Sequence, residues 1–174
     1  DDSSVALDAF AQHPLVSRVL ARGTTKCSVE FQNGLRAQVW VFPPTDFGSA
    51  WQYATGSQAH NVSLREYALK RGYLLSEHGL SATTSGEVRH FATEAELYQA
   101  LGLPWIAPEL REGRGEIAAA AQGALPNLIQ PTDLQADLHT HSTWSDGKGS
   151  IREMAFAAAQ RGLRVLSAVG VHPH

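Results

Sequence analysis

The sequence predicts an α/β protein in two parts: a mixed α+β piece, then the opening strand–helix–strand of a parallel α/β domain. Three observations carry this. Two alternating runs of β-branched and aromatic residues, KCSVEF and LRAQVWVF, are joined around Asn33-Gly34, a dipeptide suited to a hairpin turn. An amphipathic run behind Ser57 has a serine where a helix starts and Gly72 where it stops. Near the C-terminus, QADLHTH, SIREMAFAAAQRG and LRVLSAV alternate as strand, helix and strand, the layout of two parallel strands with a helical crossover.

Taken in order, SSVALDAFAQH reads as a helix with Val5, Leu7 and Phe10 near one face. PLVSRVLARG reads as a second short helix, with Pro14 at its first turn and Gly23 closing it. The hairpin follows and ends at Pro43-Pro44. Phe47, Trp51 and Tyr53 then sit on a short helical pattern broken at Thr55-Gly56-Ser57. The next helix is expected to bury Val62, Leu64, Tyr67 and Leu69 and to expose Arg65, Lys70 and Arg71. YLLSEHGL reads as a strand and SATTSGE as a polar turn. Thr93 and Glu96 form a capping box ahead of ELYQALG, and Ser150 and Glu153 form another ahead of the last helix. From Gly102 to Asp133, prolines, glycines and an alanine run suggest a linker with one modest helix. No repeat period is present.

Bulk properties exclude little. The 174 residues can bury a real core, and no apolar run approaches the length of a bilayer span. Nothing at Asp1 has the layout of a signal peptide. The single cysteine, Cys27, precludes an internal disulfide and suits a reducing, cytoplasmic setting. A net charge of −3 argues against a polybasic nucleic-acid binder, although a local basic face can still serve. Eight histidines keep metal chemistry open.

Those histidines concentrate attention on DLHTHSTWSDGKGS. Residues i and i+2 of a strand share a face, so His139 and His141 should point the same way, at the C-terminal end where parallel α/β domains collect their chemistry. Asp146, on the loop beyond, could add an oxygen to two imidazole nitrogens, a donor set suited to zinc or manganese. A bare H-x-H is a loose pattern. Here Asp137, the Ser145-Asp146-Gly147 turn and the strand–loop–helix setting strengthen it.

With these neighbours the stretch resembles the first metal-binding motif of the PHP (polymerase and histidinol phosphatase) superfamily, distorted α/β barrels that cleave phosphate esters around two or three metal ions. The preceding sequence is similar to bacterial family X DNA polymerases, which carry such a PHP domain behind a polymerase palm and thumb. The likeness runs from about Val5 to Gly162 and is most distinctive from Tyr53 to Gly79 and from Pro104 to Gly147. It implies the C-terminal part of a palm over 1–44, a thumb over 45–103, a linker over 104–133 and the truncated start of a PHP domain over 134–174.

By the same resemblance, Tyr53 lines the sugar of an incoming nucleotide, while Gly56 and Ser57 form the turn that lets backbone approach it. Asn61 meets the minor-groove edge of the incoming base and Arg65 meets the template strand; separately, the exposed charges of Arg65, Lys70 and Arg71 are expected to give weak, salt-sensitive phosphate contacts. Asn61 and Arg65 are four apart and so neighbours on a helix, and minor-groove acceptors common to all correct pairs make donors there a test of shape. The implied partners are gapped or primer–template DNA and a deoxynucleoside triphosphate, with no membrane and a monomeric chain. The implied cofactors are Mn²⁺ or Zn²⁺ at His139, His141 and Asp146, and Mg²⁺ at the polymerase site.

That polymerase site departs from the family pattern. Gln38 stands where the family has its third catalytic aspartate, Trp40 where an arginine pairs with the acids, and Ala54 where a second aromatic follows Tyr53. The Asp-x-Asp pair is absent too: Asp1-Asp2 are adjacent, and Glu94 and Glu96 belong to a capping box. A neutral carboxamide does not replace a carboxylate on Mg²⁺. The C-terminal SAVGVHPH also departs, with His172 and His174 near a second metal motif but off register, as a frame shift would leave them. The expectation is therefore a fragment of a repair polymerase and 3′–5′ exonuclease that lacks polymerase activity by itself. The alternatives are a catalytically inactive DNA-binding module or a truncated gene product without function.

Overall fold

The computed structural model describes residues 2–168. The chain divides into two compact units, Asp1–Leu125 and Pro126–His174. His172 and His174 lie outside the described residues.

In the first unit, helix α1 (Asp2–Ala11) packs on an antiparallel sheet ordered β1 (Val16–Arg22), β2 (Lys26–Phe31), β3 (Arg36–Trp40). Leu7, Cys27 and Val29 are fully buried between them, and Phe10, Ala37 and Val39 pack against this core. Val5, expected inside, is exposed. The Asn33-Gly34 turn forms as expected: Gly34 adopts φ +82°, and the Asn33 side chain accepts from the Leu35 N–H at 3.1 Å. Alternation along β3 sends Ala37 and Val39 toward α1, leaving Gln38 and Trp40 on the opposite face.

The segment expected as a second helix is strand β1. Pro14 and Gly23 are respectable helix boundaries, but Val16 and Val19 are β-branched and β2 offers an unpaired ladder. Val16 pairs with Phe31, Val19 with Val29 and Arg22 with Cys27, with two register shifts along the way. Pairing with a distant strand outweighs the local signals.

A second core supports the remainder of this unit. Helices α2 (Phe47–Thr55), α3 (Gln58–Leu69) and α4 (Glu94–Ala100) surround a small antiparallel sheet of β4 (Tyr73–Ser76), β5 (Gly79–Ala82) and β6 (Val88–Arg89), and α5 (Glu116–Ala121) follows. The stretch expected as one strand, YLLSEHGL, turns back on itself at Glu77-His78 to make β4 and β5. Leu64 is buried and Tyr67 half-buried, whereas Val62 and Leu69 face out: α3 presents a narrower apolar stripe than its sequence suggests. Both capping boxes form, at Thr93–Glu96 and at Ser150–Glu153.

The expected linker is a linker only in its last part. Leu103, Ile106, Ile117 and Ala120 are buried in the same core as Leu64 and Leu97, so the unit extends to Leu125. Proline and glycine there shape irregular backbone while scattered apolar residues bury without periodicity. Composition alone misreads such a segment as solvated.

The second unit holds β7 (Ala136–Thr140), α6 (Ile151–Gln160) and β8 (Val165–Ala168). β7 and β8 are parallel, with Ala136 opposite Val165 and Asp137 opposite Leu166, as the strand–helix–strand pattern predicts. Leu138, Trp144, Ile151 and Phe156 remain exposed around this two-stranded sheet.

Candidate nucleic-acid interface and metal centre

The corner between α2 and α3 brings together the residues that the resemblance singles out. Ser57 caps α3, its Oγ accepting from the His60 N–H at 3.1 Å. Asn61, one turn in, folds back over the corner. Its Nδ2 donates to the Tyr53 carbonyl at 2.8 Å, and its Oδ1 accepts from Gln52 Nε2 at 2.8 Å. A Cβ on residue 56 would stand 2.4 Å from that Oδ1, so Gly56 is what allows the fold-back. Both ends of the Asn61 amide are thus engaged within the chain.

Tyr53 meets an aromatic ring and a cation. Its ring stacks on Trp40 at 5.8 Å between centroids and 29° between planes, and the Arg65 guanidinium lies 5.4 Å over it. Lys26 Nζ lies 4.6 Å over the Trp40 ring. Lys70 and Arg71 stand beyond the other end of α3, about 14 Å along the helix axis from Asn61. Arg71 rests on Tyr67 at 3.5 Å. The structure therefore gathers Tyr53, Gly56, Ser57, Asn61 and Arg65, and sets Lys70 and Arg71 apart as a second, exposed basic spot.

On the outward face of β3, Trp40 Nε1 donates to Gln38 Oε1 at 3.0 Å. These two residues, which sequence reading singled out, satisfy each other. Together with Ala54 and the aromatic ridge of α2 they line an open cavity of about 480 Å³.

A buried polar network behind the corner escaped sequence reading. His60, fully buried, bonds Glu116 Oε1 through Nδ1 at 2.6 Å and the Tyr98 hydroxyl through Nε2 at 2.9 Å. Burial drives the His60 pKa down, against the pull of the Glu116 carboxylate. The neutral ring fits these bonds, with Nδ1–H donating to Glu116 and Nε2 accepting from Tyr98. Burial tends to raise the Glu116 pKa, but bonds from His60 and from the Gly113 and Arg114 N–H groups outweigh it and hold it low. Burial pushes the Tyr98 hydroxyl upward. Beside it, Arg111 is also fully buried and donates to Glu94 Oε1 and Thr55 Oγ1, each at 2.7 Å, and to the Ile106 carbonyl at 2.9 Å. The only sequence hint was the charge-dense run ELREGRGE in a stretch otherwise read as linker.

In the second unit, His139 and His141 do project together. Their Nε2 atoms are 2.9 Å apart and their rings 5.0 Å between centroids. Asp146 reaches them, but at Nδ1 of His141, 2.7 Å away and on the far side of that ring from His139. Its own backbone N–H and His141 hold the Asp146 carboxyl below its usual range. Gly147 turns tightly under His141, where a Cβ would collide with the His141 carbonyl. Asp137 accepts from the His139 N–H at 3.2 Å.

Two imidazole nitrogens on a tetrahedral cation would stand about 3.3 Å apart, so this pair fits a divalent ion after opening by a few tenths of an ångström. Asp146 does not point at the space between the Nε2 atoms. It sits where a carboxylate orients a ligating histidine, in place of the oxygen ligand expected from sequence. Among the described residues no group of three or more His, Cys, Asp or Glu side chains is arranged to hold a metal. The described part is thus an open, two-nitrogen half-site.

Comparison with known proteins places a family match over the α2–α3 corner. Residues 50–112 match the DNA polymerase beta thumb. Over 169 residues, 96% of its length, the chain is 36% identical to the DNA polymerase/3′-5′ exonuclease PolX of Bacillus subtilis (strain 168), covering 29% of that protein. It is 35% identical over 91 residues to DNA polymerase lambda of Rattus norvegicus, covering 16% of it. The chain thus spans less than a third of the length of these relatives. Among solved structures, Leishmania infantum polymerase beta in a ternary gap complex superimposes on 64% of the chain, covering 50% of that structure, with a TM-score of 0.51 and 18% identity. A primer–template complex of the same protein superimposes on 63%, covering 51%, with a TM-score of 0.50 and 19% identity.

Proposed function

We propose that this chain, which belongs to the family X DNA polymerases, is the DNA-gripping thumb of a repair polymerase joined to the first unit of a PHP nuclease. The observation that carries the reading is the α2–α3 corner, where a capped helix start, a side-chain-free Gly56, Tyr53 and Arg65 meet at one exposed point. Arg65, Lys70 and Arg71 are exposed cations suited to phosphates. Tyr53 would offer a face to a sugar or base once Arg65 leaves it for a phosphate, and Asn61 would turn outward from Gln52 to meet a base edge.

In this chain β3 does not support nucleotidyl transfer. Gln38 has its carbonyl turned to the Trp40 indole, and neither side chain brings the anionic oxygen that two-metal phosphoryl transfer uses. The observation favours, for this segment, binding and positioning of gapped or primer–template DNA and a deoxynucleoside triphosphate over chemistry. In the second unit, His139 and His141 would hold Mn²⁺ or Zn²⁺ and Asp146 would keep the His141 ring in place. A divalent ion there supplies positive charge for phosphodiester hydrolysis. We place the protein in the cytoplasm as a monomer: Cys27 is a free thiol suited to a reducing compartment, and among the described residues no helix is long and apolar enough to cross a membrane.

The test is binding to a fluorescently labelled gapped duplex across a salt series. The wild-type chain should bind more weakly as salt rises. Arg65→Ala combined with Lys70→Ala should weaken binding and flatten the log–log salt slope by about 2. Unchanged affinity and slope in the double variant would remove the thumb reading.

A further inference from the structure

Gln52 is a primary amide buried to 2% exposure on α2, where an apolar side chain of similar size would fill the space without the cost of leaving water. The NH₂ group accounts for its presence. It donates to Asn61 Oδ1 at 2.8 Å, and Gln52 also bonds the Tyr98 hydroxyl. The corner is shaped around the first of these bonds: a Cβ on residue 56 would stand 3.3 Å from Gln52 Nε2, besides crowding Asn61.

The hydrogen bonds behind Gln52 run in one direction. The Glu116 carboxylate accepts from His60 Nδ1–H at 2.6 Å. That tautomer leaves His60 Nε2 to accept from the Tyr98 hydroxyl at 2.9 Å. With its own proton engaged, the Tyr98 oxygen can only accept, which turns the NH₂ end of Gln52 toward it and toward Asn61. Asn61 then presents its oxygen to Gln52 and its own NH₂ to the Tyr53 carbonyl at 2.8 Å. A buried acid thus sets, through His60, Tyr98 and Gln52, the orientation of an amide at the corner.

We propose that Gln52 is a positioning residue: it holds Asn61 folded back over the corner in the free chain, and Asn61 reaches nucleic acid only by giving up that bond. The proposal rests on the reading that Asn61 meets a base edge, and adds what restrains it. Release of Asn61 strands a donor on the fully buried Gln52, so the restraint weakens binding, and a ligand must offer Asn61 an acceptor in return to draw it out.

The experiment uses the whole chain, isotopically labelled for NMR, and a fluorescent gapped duplex. In the free wild type the Asn61 side-chain amide should resonate away from the position of a solvated amide, and Gln52→Met should return it there. Gln52→Met should also bind the duplex about fivefold tighter, because no donor is stranded when Asn61 leaves. With Asn61→Ala already in place, Gln52→Met should change affinity by less than about twofold. Loosened packing alone would not tighten binding, so a gain that depends on Asn61 separates positioning from a structural role. If Gln52→Met fails to fold, Tyr98→Phe removes the hydroxyl that fixes the Gln52 amide and should give the same pattern with a smaller gain. An unmoved Asn61 resonance, unchanged or weaker binding, or an equal gain in the Asn61→Ala background would overturn the proposal and leave the thumb reading intact. Failure of the wild type to bind the duplex would instead sink the thumb reading, and this proposal with it.

Discussion

Replacing Arg111 by methionine isolates the contribution of the buried polar network to the first unit. The guanidinium is fully buried and serves three acceptors: Glu94 Oε1, Thr55 Oγ1 and the Ile106 carbonyl. Methionine keeps much of the stem and removes every donor. Glu94, whose side chain is only 10% exposed, would keep Trp105 Nε1 at 2.9 Å and Thr55 Oγ1 at 3.3 Å but lose its countercharge. Stranding one member of a buried pair costs about 3–5 kcal/mol, more than the pair itself contributes, because the remaining charge has been taken from water. Arg111 Nη2 has no partner among the described residues, which lowers the net worth of the pair further. The double variant Arg111→Met, Glu94→Gln removes the stranded charge and should lose only about 1–3 kcal/mol. Urea unfolding followed by circular dichroism measures all three proteins. A loss below about 1 kcal/mol for the single variant, or a double variant no better than the single, would refute the claim that this is a mutually dependent buried pair.

Two further outcomes follow from the same coordinates. Stability should fall on acidification. His60 has its folded pKa below the ordinary 6.5, so the unfolded chain binds the proton first and stability drops as pH falls below that value. Glu116 and Asp46 are held below their ordinary 4.5 and 3.8, Asp46 despite its burial, by Thr45, His78 and His90, so their contributions are lost as pH falls below those values in turn. Urea midpoints at pH 7.5, 6 and 4.5 that stay flat or rise would contradict this. At the half-site, calorimetric titration should find only weak Zn²⁺ or Mn²⁺ binding, abolished by His139→Ala or His141→Ala and weakened about tenfold or more by Asp146→Asn. Stoichiometric submicromolar uptake that survives His139→Ala would show the metal sits elsewhere.

Where a structural feature depends on neighbours in sequence, it was readable in advance. The Asn33-Gly34 turn, the Ser57 cap and both capping boxes are closed by residues within three positions, so their chemistry is written locally. The same holds for His139 and His141, two apart on one strand face. The exceptions share one cause. β1 carries adequate helix signals and becomes a strand because β2 offers it a ladder. The run after Gly102 looks solvated and is buried because Leu103, Ile106 and Ile117 meet partners from α3 and α4.

The order of residues by itself determined the family, the helix starts behind Ser57, Thr93 and Ser150, the hairpin and the parallel strand–helix–strand unit. Each is a matter of residue identity or of contacts spanning a few positions. Tertiary structure alone decided that His60 meets Glu116, 56 residues on, and that Arg111 closes on Glu94 and Thr55. It alone turned Asn61 inward, set Asp146 behind the His141 ring, and placed Gln38, Trp40 and Ala54 around one cavity. Burial and charge pairing act through space, and a buried ion or an aromatic wall is stabilised by whatever the fold puts within a few ångströms, regardless of its distance along the chain.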